Sequence, residues 1–352
     1  MSMHTLTKQL LSKYIKKSTY EELCTSIKSN NSDNILSNVT YIKCYQESET
    51  LKEKILLVHG TNSSISSFLK LVDDMTFHYD LYLINLPGFG ECDFNIDIRS
   101  KSCQETLELY NHVLKEFIIT NKLEGITLLG HSFGGYLCTY FSHHHESLTN
   151  KLILLNPAGI FSFGSNCGLY VATLFKIGFP QQFIRLIPCF IINFITRFLF
   201  LDYAYDLKLM SLQNNISYYI IKKFLSISKF ESYVEYPLLP MFSNLKVPVG
   251  LIYNSNDEIM PMTHGLCLSK TFDIPLNIVE DSGHSIQYST NITLLVNAII
   301  DILQKCRIPK SRYSPSFLLE MNNIRTGFNI FSCKKKTNIF FGMLSNNKTK
   351  LN

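Results

Sequence analysis

Six short runs in this 352-residue chain are apolar at nearly every position. They read KILLVHG (54–60), DLYLINLPG (80–88), GITLLGHS (125–132), KLILLNP (151–157), VPVGLIYNSND (247–257) and PLNIVEDSGH (275–284). A strand with one wet face alternates apolar and polar residues; a run without alternation needs cover on both faces. Helix-length stretches such as SCQETLELYNHVLKEFI and NITLLVNAIIDILQKC separate most of the runs. That alternation predicts an α/β fold, a mostly parallel sheet with helices on both sides. Ahead of it, residues 6–29 read as an amphipathic helix and NVTYIKCYQ (38–46) as a leading strand.

The rhythm breaks between Ala158 and Leu245, where the pattern turns helical, aromatic-rich and proline-punctuated. From Ala158 through Leu201 the only charges are Lys176, Arg185 and Arg197. The expected organisation is an N-terminal helix and leading strand (1–50), a core in two pieces (51–157 and 246–306), an inserted helical cap (158–245) and a C-terminal tail (307–352). The tail is basic: nine Lys or Arg against one acid, a charge of +8 within a total of +5, which leaves the preceding residues at −3. A mildly acidic body excludes a basic nucleic-acid-binding face. Ten cysteines without a C-x-x-C pair argue against a zinc site and a disulfide framework. The opening residues carry no apolar run of signal-peptide type, so an intracellular protein, cytoplasmic or peripheral to a membrane, is expected.

Chemistry enters where the third run ends, in Gly-His-Ser-Phe-Gly-Gly. In a parallel sheet, ligands gather at the carboxyl edge of the strands. A strand that ends in G-x-S-x-G and continues as a helix places Ser132 on a sharp turn at that edge. Gly130 and Gly134 flank the serine where a Cβ would crowd the turn, and Gly135 lets the helix approach the sheet. A serine needs a base, and His284, after the last run, is delivered to the same edge. The base needs an acid to orient it. Asp257 ends the preceding run and is preferred to its neighbour Glu258 and to Asp281. The amides of Phe133 and Thr61 are the expected donors to a reaction oxyanion. His143, His144 and His145, two or more turns beyond the serine, read as surface. No metal or organic cofactor is implied.

Taken together, LLVHG, LINLPGFGECD, LLGHSFGG, LILLNPAGI, LIYNSNDEIMP and DSGH resemble the α/β-hydrolase superfamily over about residues 50–160 and 245–305. LPGFG, GHSFGGYL and NPAGI look most like its subgroup of lysophospholipases, N-acyl-phospholipid lipases and cardiolipin deacylases. The resemblance implies an α/β-hydrolase fold with a cap, and a serine esterase or lipase acting on acyl esters. Two positions depart from the subgroup. Its His-x4-Asp motif, linked to lysophosphatidate acyl transfer, has Ser289 in place of the aspartate, and the aspartate common before LPGFG is Asn85. The apolar segment 186–201 and the aromatic-basic tail fit peripheral contact with an anionic lipid surface. Two other readings stay open: a small-molecule esterase or C–C bond hydrolase, and a non-catalytic lipid-binding protein that keeps the fold.

Overall fold

The computed structural model describes residues 2–29, 34–93, 95, 97–159, 239–257, 259–289 and 291–310, together with 191, 194, 208, 220, 225–228, 231–234 and 326–327. Its centre is an eight-stranded sheet. In chain order the strands are β1 (Thr19–Lys28), β2 (Ile35–Tyr45), β3 (Glu53–Val58), β4 (Tyr79–Ile84), β5 (Ile126–His131), β6 (Thr149–Leu155), β9 (Val249–Asn254) and β10 (Leu276–Val279). Across the sheet they run β1-β2-β4-β3-β5-β6-β9-β10. The first two pairings are antiparallel and the other five parallel. A three-stranded sheet joins β7 (Leu225–Ser228), β8 (Glu231–Val234) and β11 (Thr326–Gly327).

The uniform apolar runs have the expected cause. Along β3, Ile55 and Leu57 enter one core with Leu81, Leu83, Leu129 and Ile153, while Leu56 and Val58 enter the other with Ile84, Leu128 and Leu154. The first core lies under α1 (Met3–Tyr14) and α7 (Ile292–Lys305), and the second under α3 (Cys103–Thr120), α4 (Phe133–His144) and α6 (Met262–Phe272). Each buried Leu or Ile contributes about 1.5–3 kcal/mol relative to exposure, so a polar residue on either face of a central strand is costly. Helix α3 starts on a capping box in which Ser102 and Glu105 satisfy each other's backbone amides. Between them lie two four-residue helices, α2 (Val72–Met75) and α5 (Leu239–Phe242).

The N-terminal helix is shorter than its sequence pattern predicts. It stops at Tyr14, and Thr19–Lys28 forms strand β1 instead. The ten residues of β1 pair antiparallel with β2, and Ile27 is buried in the core beyond. A full ladder of backbone hydrogen bonds outweighs the helix preference of Glu21, Glu22 and Leu23, each worth only tenths of a kcal/mol. Asp73 fixes the switch point by accepting from the amides of Lys16, Lys17 and Ser18. Most of the proposed cap at 158–245 falls outside the described residues, as do the apolar segment 186–201 apart from residues 191 and 194 and most of the tail. The part of the cap range described at 225–228 and 231–234 is the antiparallel pair β7–β8, where the sequence pattern predicts helix. Among the described residues no helix is long and apolar enough to cross a membrane.

Helix α4 approaches the sheet so closely that a Cβ on Gly134 would lie 2.0 Å from the carbonyl oxygen of Val58 in β3. Gly134→Ala is therefore expected to lower unfolding free energy by about 3 kcal/mol, the upper range for overpacking. Gly125→Ala meets nothing within 4 Å and strains only a backbone of φ +74. It is expected to cost about 1–2 kcal/mol. Urea unfolding of the two variants checks the order.

Candidate active site

Strand β5 ends at His131 and helix α4 begins at Phe133, which leaves Ser132 as the single residue of the turn between them. Its backbone has φ 53 and ψ −118, a conformation that costs a non-glycine residue about 1–3 kcal/mol and persists only where neighbours enforce it. Here the Ser132 amide donates to the Leu155 carbonyl at 3.1 Å, and its own carbonyl accepts from Ala158 at 2.9 Å and Tyr136 at 3.2 Å. The tip of β6 and the first turn of α4 thus grip both peptide groups of the turn.

Ser132, His284 and Asp257, separated by up to 152 residues, meet at the carboxyl edge of the sheet. Ser132 Oγ lies 3.0 Å from His284 Nε2, and His284 Nδ1 lies 2.6 Å from Asp257 Oδ2. The second carboxylate oxygen of Asp257 accepts from the amides of Ile259 at 2.8 Å and Met260 at 2.7 Å. The Asp257 side chain is fully buried and that of His284 is 16% exposed. A carboxylate only accepts, so the proton of a neutral His284 belongs on Nδ1 and Nε2 is left as the acceptor facing the serine. The arrangement can draw a proton from Ser132 and hold the resulting imidazolium against a buried carboxylate. Of the two rival acids, Asp281 is exposed, with its amide on Ser255 Oγ, while Glu258 lies outside the described residues.

Thr61 opens the turn after β3, and Gly60 before it packs against Ser132: a Cβ on Gly60 would stand 2.9 Å from Ser132 Cβ. Phe133 opens α4, at the positive end of its helix dipole. Its ring is buried edge-on against Tyr110. His143 and His145 are half-buried and His144 exposed at the far end of α4. Among the described residues no group of three His, Cys, Asp or Glu converges as a metal site.

A family model described as the alpha/beta hydrolase fold matches residues 54–290, two thirds of the chain. The chain belongs to the alpha/beta hydrolase fold family. It is 26% identical over 244 residues to the rice (Oryza sativa subsp. japonica) "Probable 1-acylglycerol-3-phosphate O-acyltransferase", covering 60% of this chain and 57% of that one. It is also 26% identical over 276 residues to the Mycoplasma genitalium "Putative esterase/lipase 3", covering 74% of this chain and 91% of that one. Among solved structures, the "putative lipase (lip1)" of Acinetobacter baumannii AYE superposes with a TM-score of 0.63 at 19% identity, over 87% of this chain and 96% of that one, which establishes shared fold.

Three further residues of this alpha/beta hydrolase fold support the site from behind. His59, fully buried, donates from Nδ1 to the Gly60 carbonyl at 2.7 Å and accepts the Leu86 amide at Nε2, 3.0 Å away. Burial pushes its pKa down to about 4, so the ring is neutral in use. Asn85 accepts the Ile65 amide at 3.0 Å and donates to Thr40 Oγ1 at 2.9 Å, tying the segment after Thr61 to β2. A carboxylate could accept from the same amide and from the Thr40 hydroxyl, but at this buried position the neutral amide makes the pair without burying a charge. His131 places Nε2 2.9 Å from the carbonyl oxygen of His284, and nothing in the sequence pattern singles it out.

The depressed His59 sets a pH dependence. Between about pH 6.5 and 4 the unfolded chain carries a proton there that the folded chain refuses, so the contribution is complete above that window and lost as pH falls through it. His59→Gln removes this group, and its unfolding free energy is expected to fall less steeply, by about 1.4 kcal/mol per pH unit in mid-window. Urea titrations of both proteins from pH 6.5 to 4.5 measure the difference.

Proposed function

We propose that the chain is a serine hydrolase that cleaves carboxylic acyl esters, of the lipid or lysophospholipid class, through an acyl-enzyme. The observation that carries the reading is the unbroken hydrogen-bonded line Ser132–His284–Asp257 on a left-handed turn at the sheet edge. Ser132 Oγ attacks the ester carbonyl as His284 Nε2 takes its proton, and the tetrahedral oxyanion is received by the amides of Phe133 and Thr61. Asp257 orients His284 and stabilises its positive charge. His284 then gives that proton to the departing alcohol, takes a second proton from the water that attacks the acyl-enzyme, and passes it to Ser132 Oγ as the acid leaves.

Several facts support a lipid acyl group. The low charge of residues 158–201 suits an apolar acyl site. The relatives carry the names "Putative esterase/lipase 3" and "Probable 1-acylglycerol-3-phosphate O-acyltransferase". The basic tail suits contact with anionic headgroups. Water rather than a lysolipid is the expected acyl acceptor. Ser289, which stands where the acyltransfer motif carries aspartate, is engaged with Ser282 Oγ at 3.0 Å and the Asn291 amide at 3.2 Å.

Fluorophosphonate labelling of the full chain tests the reading. Wild type is expected to label, Ser132→Ala to lose labelling entirely, and Asp257→Asn to slow ester turnover by about 10³-fold or more, since the wrong histidine tautomer then faces the serine. Activity on p-nitrophenyl esters is expected to rise with acyl length. Folded wild type that takes no label overturns the proposal, and a preference for the shortest ester would favour a small-molecule esterase.

A further inference from the structure

His284 sits on a loop, and a loop residue keeps catalytic geometry only when its backbone is fixed from outside. Just before it the chain is pinned, the Ser282 carbonyl accepting from the Asn256 amide at 3.0 Å and the Asp281 amide donating to Ser255 Oγ at 2.9 Å, but these bonds stop short of the peptide groups of His284. Asp281 is left-handed at φ 54, and a Cβ on Gly283 would meet nothing within 4 Å. The two peptide groups beside His284 are instead met by a pair of side-chain donors from two strand tips. Asn254, the last residue of β9, donates from Nδ2 to the carbonyl of Gly283 at 2.6 Å. His131, the last residue of β5, meets the carbonyl of His284 itself at 2.9 Å. These two carbonyls belong to the peptide planes on either side of the His284 Cα, so both backbone torsions of the base are restrained.

The chemistry of His131 fits that task. A carbonyl only accepts, so Nε2 of His131 carries the proton, and its Nδ1 is buried with no hydrogen-bond partner among the described residues. Its ring lies 4.9 Å from the His284 ring, tilted by 41°. Burial, and then the neighbouring His284, hold its imidazole well below the usual histidine range. A neutral ring in this place does not oppose the imidazolium that forms when His284 takes the serine proton.

We infer that His131 and Asn254 are positioning residues for the base, clamping the two peptide groups that carry His284 so that Nε2 stays aimed at Ser132. The inference rests on the reading of His284 as the base. A merely space-filling His131 would tolerate any ring of similar size, which separates the two roles.

The test compares His131→Phe, which keeps a ring and removes the donor, with His131→Gln, whose side-chain nitrogen can stand in for Nε2. The readouts are fluorophosphonate labelling rate, kcat and KM on a short p-nitrophenyl ester, and the low-field Nδ1 proton of His284 in histidine-labelled full chain. Misplacing a catalytic group by an ångström costs up to about 10²-fold. On that scale His131→Phe should slow labelling and kcat by about tenfold or more with KM little changed, and shift the Nδ1 proton signal. His131→Gln should restore both, and Asn254→Leu should resemble the phenylalanine variant. Wild-type behaviour of His131→Phe, or equal impairment of Phe and Gln, overturns the inference. If the phenylalanine variant does not fold, Gln against the shorter Asn makes the same comparison. A wild type that neither labels nor turns over counts against the hydrolase reading, and the proton signal still decides the clamp.

Discussion

Everything at the sheet edge depends on one backbone turn held in an unfavourable conformation. Ser132 is kept at φ 53 because its amide and carbonyl are both committed, to Leu155 on one side and to Ala158 and Tyr136 on the other. Those partners exist only if β6 lies beside β5 and α4 lies flat on the sheet. The second condition requires Gly134 against the Val58 carbonyl. The folded core therefore supplies the strain energy of the turn, a few kcal/mol drawn from two large apolar clusters. In return Ser132 Oγ projects free of the strand at the place where β3, β5, β9 and the loop after β10 converge.

Histidines divide the electrostatic work by environment. His284 is part-exposed and faces a serine and a carboxylate. His59 and His131 are buried and face carbonyl or amide groups, which fix their tautomers and favour neutrality. In the proposed mechanism charge develops on only one of these three imidazoles. Asp257 concentrates the balancing charge: with one oxygen on His284 and the other on two backbone amides, it cannot rotate away from the ring.

Much of this was legible in the sequence because its causes are local. Strands covered on both faces are uniformly apolar, and the β5–α4 turn announces itself through Gly130, Gly134 and Gly135. Ser132, Asp257 and His284 are readable because each ends or follows such a strand. The failures have non-local causes. Thr19–Lys28 carries helix-forming residues, and only the ladder with β2 makes it a strand. His131 and Asn254 show no pattern of their own, since their partners, the carbonyls of His284 and Gly283, lie 153 and 29 residues away. Asn85 could be seen as a departure from the related sequences, but its partners appear only when Ile65 and Thr40 are placed on either side of it.

The central claim is that Ser132 forms a covalent acyl intermediate. Acid-quenching the full chain within milliseconds of mixing with p-nitrophenyl butyrate, followed by intact and peptide mass spectrometry, observes that species directly. The account predicts one butyryl group per chain, carried on the peptide that contains Ser132 and accumulating with a burst of p-nitrophenol. Turnover without any acylated peptide, or an acyl group mapped to another residue, would contradict it.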